Sequence, residues 1–550
     1  MYSGTFVAMG GICAVLFLLA IFRGSSPSAT PVPAEPVPAV VDLGYSKYQG
    51  ARLPDGVDQY LGMRYAAPPV GDLRFRAPQD PQSTGSVLDA FSFGPVCVGV
   101  GQRPKESQGE DCLFINVFKP TNATADFDLP VWLFIQGGGY ADNSNANFNG
   151  SKVVQRSGHN IVFVNFNYRV GALGFLVSED VRKDGDLNAG LLDQRKALHW
   201  VQKHIRQFGG DPNHVVIHGD SAGAGSAAYH MAAYGGRNDN LFVGAVAQST
   251  FWPTQRTVAE MEFQYNQFAQ DVGCNQTINT LSCLRAAHIE TIQKANVNKP
   301  FPRGSSTPSP LWYFLPVIDG DLIRGRLYRS FEEGTVIQVP LMVGDVTNEG
   351  TAFAYNASTA SEVVQFIKNN YPQLTEAELE TVNQQYGRLE PLPGHAEYFH
   401  TAATAYGHST FICPGNHMAA SLTRHSSPRK VWNWRFNVQD PTQIAQGLGV
   451  PHVFDMNAIF GTNGTNEAVY SYDASNADII PITMNYYISF VRALDPNSYR
   501  SESAPEWRPW GSRSGMRMKL ETNSTQMENI PELQRQRCSM WKDLAVSMQH

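Results

Sequence analysis

Ser221 lies at the centre of Gly219-Asp220-Ser221-Ala222-Gly223, after the apolar run Val215-Val216-Ile217 and before the small residues Ala224-Gly225-Ser226-Ala227-Ala228. A strand that turns sharply into a helix holds a serine in a strained backbone conformation with its hydroxyl exposed, and the turn closes only if the flanking positions are small. Gly219 and Gly223 supply those positions. The chemistry this spacing serves is attack by a hydroxyl on an acyl carbon. In a chain with 48 glycines the bare G-x-S-x-G pattern is weak, so its weight comes from the neighbouring elements.

Upstream, Leu191, Leu192, Ala197, Leu198, Trp200, Val201, Ile205 and Phe208 recur at helical spacing, and Gly209-Gly210-Asp211-Pro212 supplies a stop. The order helix, stop, strand, serine, helix predicts an α/β crossover feeding a parallel sheet. Ser221 then falls at the carboxyl end of its strand, where ligand sites in such sheets lie. A second strand, Val131-Trp132-Leu133-Phe134-Ile135, runs into Gln136-Gly137-Gly138-Gly139-Tyr140. A tetrahedral acyl intermediate needs N–H donors aimed at its negative oxygen, and glycines let the backbone come that close.

A serine hydroxyl also needs a base within hydrogen-bond reach and a carboxylate that fixes the base's tautomer. The chain offers 14 histidines. In α/β-hydrolases the acid and then the histidine follow the serine, each on a loop after a later strand. Val339-Pro340-Leu341-Met342-Val343 reads as one such strand, and the loop Gly344-Asp345-Val346-Thr347-Asn348-Glu349-Gly350 offers Asp345 or Glu349. Val431-Trp432-Asn433-Trp434-Arg435-Phe436 reads as another, and the loop beyond it carries Gly449-Val450-Pro451-His452. Spacing alone leaves the choice of acid open. His395 with His400, and His408 with His417, read as surface or packing residues. Neither H-E-x-x-H nor paired C-x-x-C occurs, so no metal or organic cofactor is expected.

With these motifs in place, the chain resembles the type-B carboxylesterase family of α/β-hydrolases over nearly everything after residue 44. The stretches that carry the resemblance include Tyr65-Ala66-Ala67-Pro68-Pro69-Val70-Gly71-Asp72-Leu73-Arg74-Phe75 and Glu110-Asp111-Cys112-Leu113-Phe114-Ile115-Asn116-Val117. The triple glycine, Asn167-Tyr168-Arg169-Val170-Gly171, the serine elbow and Asn348-Glu349-Gly350 complete them. The resemblance implies an α/β-hydrolase fold, a central, mostly parallel twisted sheet with helices on both faces. The family's carboxylate stands in a Glu-Gly pair, which selects Glu349 over Asp345. Its histidine follows a glycine three residues earlier, which selects His452. Its oxyanion hole implies Gly138, Gly139 and Ala222 here. Phe114 stands where tyrosine is usual, Gln136 where some relatives have histidine, and Asp220 where glutamate is commoner. None of these departures removes a catalytic atom, and the overall look is nearest the fungal carboxylesterases.

The activity so implied is hydrolysis of a carboxylic ester through an acyl-enzyme. In the related lipases the loop between Cys97 and Cys112 is a long amphipathic lid, and in cholinesterases it carries a tryptophan that binds a quaternary ammonium through its ring face. Residues 98–109 are short, polar and without Trp, which points to small or medium esters. Tyr140 and Trp252 are the candidates for the acyl-pocket wall. Two other readings use the same fold: a pathway-specific tailoring hydrolase or acyltransferase on a natural product, and a non-catalytic, cholinesterase-like adhesion or scaffold protein. Relatives of the last kind typically lose the serine or its partners, whereas Ser221, Glu349 and His452 all stand here.

The 550 residues, 42% hydrophobic and 11% aromatic with a formal charge of -7, suit one large catalytic unit over residues 44–550, with no internal repeat. No basic patch interleaved with aromatics points to nucleic acid. Residues 6–22 are an uncharged, mostly apolar run, so residues 1–24 read as a signal peptide or a signal anchor. Residues 25–43 read as a Ser/Pro/Ala-rich extended linker, with folded structure starting near Asp42. A membrane is expected as a partner only through that anchor, and the catalytic unit is expected in the secretory lumen or outside the cell.

Setting aside Cys13, six of the seven cysteines can pair fully in an oxidising compartment, and fifteen pairings are possible. Cys97 with Cys112 and Cys274 with Cys283 would close short loops, leaving Cys413 with Cys538, and the family resemblance implies the same bridges. Sequons at Asn122, Asn149, Asn275, Asn356, Asn463 and Asn523 point to the same compartment.

Overall fold

The computed structural model describes residues 35–425, 430–462, 464–466, 468–512 and 515–550. Strands β1 (Glu35–Asp42), β2 (Lys47–Arg52), β3 (Val57–Arg64) and β4 (Phe114–Pro120) pair antiparallel in sequence order. A parallel centre follows, made of β5 (Leu129–Ile135), β6 (Val162–Phe166), β7 (Gly210–Asp220), β8 (Gly244–Gln248), β9 (Leu341–Val346), β10 (Val431–Phe436) and β11 (Met516–Leu520). Antiparallel β12 (Gln526–Asn529) closes the far edge. The spatial order is β1-β2-β3-β4-β6-β5-β7-β8-β9-β10-β11-β12, with the short strand Val87–Asp89 beside β2.

The central strands are almost wholly buried because both faces of the sheet are covered, as a parallel sheet requires. Alternation along β5 sends Val131, Leu133 and Ile135 into one core and Trp132 and Phe134 into the other. Helices α1 (Ala189–His204) and α2 (Ala222–Gly236) pack into the first core, and α3 (Ile479–Ala493) packs into the second. Helices on both faces of a mostly parallel sheet are what the family resemblance implies.

The helical pattern over 191–208 divides into α1 and a 3-10 turn, Ile205–Phe208, which Gly209 ends at φ 84°. The expected stop at Gly210-Asp211-Pro212 is instead the start of β7, which shifts register against β5 between Gly210 and Val215. The sheet also begins earlier than expected, at Glu35 inside the Ser/Pro/Ala tract. Prolines are tolerated there because β1 is an edge strand, whose outer side uses no backbone N–H.

Three disulfides join Cys97 to Cys112, Cys274 to Cys283 and Cys413 to Cys538, the expected pairing. Asn122, Asn275, Asn356 and Asn523 are exposed and Asn149 is half-buried, while Asn463 lies outside the described residues. Residues 1–24 also lie outside them. Among the described residues no helix is long and apolar enough to cross a membrane.

Candidate active site

Strand β7 ends at Asp220 and α2 begins at Ala222, so Ser221 alone makes the turn, with φ 53° and ψ -120°. Positive φ is uncommon for a residue with a Cβ and persists only where the surroundings enforce it. Here the Ser221 N–H donates to Gln248 O at 2.8 Å, and Ser221 O accepts from Gly225 at 3.0 Å and Phe251 at 3.3 Å. A Cβ on Gly219 would lie 2.0 Å from Gly223 O, and one on Gly223 would lie 1.9 Å from Ile135 O. Both flanking positions must therefore be glycine. Ser221 itself is 7% exposed.

The loop after β5 lies against this elbow, since a Cβ on Gly137 would stand 2.8 Å from Ser221 Cβ. Gly138 and Gly139 have φ of 104° and 61°, and Gly138 O accepts from Ala141 and Asp142 in a tight turn. The N–H groups of Gly138 and Gly139 have no acceptor among the described residues. The Ala222 N–H, first in α2, has no partner one turn back within its helix. Asp220 fixes the loop from below, accepting from Gly137 N–H at 2.8 Å and from Asn145. Burial pushes the Asp220 carboxyl up to about 7, against the lowering effect of those hydrogen bonds.

Glu349 opens a 3-10 turn after β9, and its Oε1 accepts from Val346 N–H at 2.8 Å. Its Oε2 is hydrogen-bonded to His452 Nδ1 with both side chains buried. His452 Nε2 is buried without a protein partner, and the ring is packed by Phe411 at 4.5 Å and Phe353 at 4.9 Å between centroids. Asp345, the other acid that spacing allowed, makes no hydrogen bond to His452.

Two residues that motif reading passed over hold these loops together. Asn348 donates its N–H to Val450 O at 3.0 Å and accepts from Val450 N–H at 2.9 Å, so the acid loop clamps the histidine loop. A Cβ on Gly449 would sit 2.2 Å from Asn348 Oδ1, which explains the glycine three positions before His452. Gln248 accepts from Ser221 N–H on its backbone, and its side chain donates to Asp455, three residues beyond His452. The elbow and the histidine loop are thus fixed to one strand end. Asn348 carries a sequence signal as the first member of Asn-Glu-Gly, whereas Gln248 carries none.

The rings expected to line an acyl pocket are both fully enclosed. Tyr140 packs against Phe175, Tyr229 and Phe251, and Trp252 against Tyr328 and Phe331, each with no exposed surface. Half-buried Trp312 and Phe353 stand at the site instead. A Cβ on Gly139 would lie 2.0 Å from the Trp312 ring, and that indole packs edge-on to Phe251 and Phe353 and donates to Tyr406 OH at 2.8 Å. The loop between Cys97 and Cys112 contains no helix and is pinned by Val100 N–H donating to Ala141 O at 2.8 Å. Among the described residues no group of three or more His, Cys, Asp or Glu side chains is placed to hold a metal.

A serine on a strand-to-helix elbow, with a buried Glu–His pair on loops after later strands of the same mostly parallel sheet, defines an α/β-hydrolase. The chain belongs to the carboxylesterase family, whose model matches residues 38–541. It is similar to the crystal structure of Aspergillus niger EstA, with TM-score 0.92 and 57% identity over 93% of this chain and 99% of that one. It is 32% identical to Secreted lipase 4 of Gibberella zeae over 96% of this chain and 97% of that protein. Lipase 1 of Geotrichum candidum is 32% identical over 80% of this chain and 84% of its own. The chain is a serine carboxylic ester hydrolase.

Proposed function

We propose that Ser221, His452 and Glu349 act as nucleophile, base and orienting acid on small or medium carboxylic esters, with the N–H groups of Gly138, Gly139 and Ala222 holding the oxyanion. The observation that carries this reading is the buried hydrogen bond from His452 Nδ1 to Glu349, which leaves Nε2 without a protein partner. Ser221 gives its proton to Nε2 as Oγ bonds to the ester carbonyl carbon. His452 then passes that proton to the departing alcohol, and water repeats the cycle on the acyl-enzyme. Glu349 orients the imidazole through Nδ1 and stabilises the charge that develops on it. Each oxyanion donor is worth about 10²–10³ in rate.

Two relatives carry the name lipase, but the short pinned loop after Cys97 and the Trp312 ring against Gly139 favour a compact acyl group here. Residues 44–550 form the catalytic unit on this reading, and residues 1–24 direct it into the secretory pathway. Three disulfides and exposed sequons support that placement.

The test is hydrolysis of p-nitrophenyl esters from acetate to palmitate by wild type and Ser221→Ala, with fluorophosphonate labelling of both. Loss of turnover and label in the variant, with a wild-type optimum at short or medium chains, is expected. Equal turnover by both proteins would overturn the assignment of Ser221, and an optimum at palmitate would overturn the chain-length reading.

A further inference from the structure

A cavity of about 300 Å³ lies beside the Glu349 loop, with Asp345, Thr347, His408, Arg435, Arg517 and Arg537 in its wall. A narrow cleft lined by Asn348 and Glu349 shares Thr347, Thr404, His408 and Ile412 with it. The cavity therefore reaches the loop that carries the acid partner of His452.

Its wall is rich in donors and poor in acceptors. Arg435 is fully engaged, with Nε and Nη2 on Glu528 and Nη1 on Thr347. Arg517, 4% exposed, gives Nε to the same Glu528 at 2.7 Å, and neither of its Nη groups has a protein acceptor among the described residues. Arg537 gives Nε and Nη2 to Gln385 O, which leaves Nη1 without a protein acceptor among the described residues, and its guanidinium is held 4.4 Å over the Tyr386 ring. One carboxylate thus serves two of the three guanidiniums, and the third has none.

Asp345 makes no ion pair with any of the three guanidiniums among the described residues. Burial first, and then the neighbouring Glu349 carboxylate, push its pKa well above the ordinary range, and its Oδ1 is buried without a partner. The positive field reaches His408, whose pKa is pushed down to about 3 by burial and then by Arg537 and Arg517. A buried guanidinium edge with free N–H groups matches the paired oxygens of a carboxylate or phosphate.

We propose that this arginine-lined cavity binds a small oxyanion or carboxylate, held by the Nη groups of Arg517 and Arg537. Its bound anion sits apart from the oxyanion donors at Ser221 and next to the loop of Glu349.

The test uses the full chain with Ser221 blocked by a fluorophosphonate, so that the oxyanion donors there are occupied. Inorganic phosphate and, separately, acetate are titrated calorimetrically at low ionic strength, and the tighter of the two assigns the ligand chemistry. Saturable binding to one site is expected. Gln534→Glu, which adds a carboxylate at the cavity wall without touching the buried ion pairs, is expected to weaken that binding about tenfold or more. Arg537→Gln is expected to do the same. Absence of saturable binding of either anion to the blocked wild type would overturn the proposal, and so would binding that both folded variants leave unchanged.

Discussion

Asp220 accepts the backbone N–H of Gly137 at 2.8 Å, so the residue just before Ser221 fastens the start of the glycine loop to the elbow beneath it. Replacing Asp220 with alanine keeps every proposed oxyanion donor but loosens the loop that aims two of them. Deleting one such donor outright costs about 10²–10³ in kcat, so Asp220→Ala is expected to cost about 10–10² with KM little changed. Steady-state kinetics on p-nitrophenyl butyrate measure the split. A raised KM at constant kcat would instead place Asp220 in substrate binding.

Glu349→Gln preserves the shape of the acid but lets the amide hold His452 in the wrong tautomer. A loss of about 10³–10⁴ in kcat is expected, since the comparable exchange in a serine protease triad costs about 10⁴. Single-turnover measurement of the acylation rate checks it. A loss of less than about tenfold would point to Asp345, four residues earlier, as the working acid.

The proposed nucleophile and its glycines are legible in the sequence because the elbow pattern is local. Gly219 is forced by contact with Gly223 inside one contiguous strand-turn-helix unit, and although Gly223 is forced by Ile135 on β5, the G-x-S-x-G spacing itself lies within that unit. The acid is not legible from spacing, because Asp345 and Glu349 share a loop and only a contact to His452, 103 positions away, separates them. The burial of Tyr140 and Trp252 is not legible for a related reason: residue type says that a ring is large, not which way it faces. Trp312 reaches the site from a segment without a motif, and Phe353 from just beyond Asn348-Glu349-Gly350, where the motif itself says nothing of a ring. The prolines before Asp42 hide β1, since an edge strand and an extended linker share the same composition.

Trp312 stands against Gly139, so its ring limits the space beside the oxyanion donors. Trp312→Ala is expected to raise the rate on octanoate and decanoate esters relative to butyrate by about tenfold, in line with the worth of one or two methylenes in an apolar pocket. The half-buried ring also leaves a gap when removed, so a stability loss of about 2–3 kcal/mol is expected, and urea unfolding measures it. An unchanged chain-length profile in the folded variant would remove Trp312 from the acyl wall.

His218 on β7 accepts from Trp132 Nε1 on Nδ1 at 3.1 Å and donates from Nε2 to Gln248 Oε1 at 3.0 Å, a pattern that only the neutral ring can satisfy. Burial pushes its pKa from 6.5 down to about 3, against the raising effect of Gln248. Unfolded His218 takes up a proton near 6.5 and folded His218 only near about 3, so the unfolded state binds more protons between these values. The stability this histidine contributes is complete above about 6.5 and is lost as pH falls toward about 3. Asp220 and Asp455, each pushed up to about 7 by burial, work in the opposite direction over the same range, so the pH profile of the wild type alone mixes the two. Comparison with His218→Gln isolates one group. The stability difference between wild type and variant is expected to shrink by about 1 kcal/mol per pH unit between pH 6 and pH 4, read from urea midpoints. A constant difference across that range would mean that His218 is protonated in the folded protein, and the Trp132 hydrogen bond could not then exist as described.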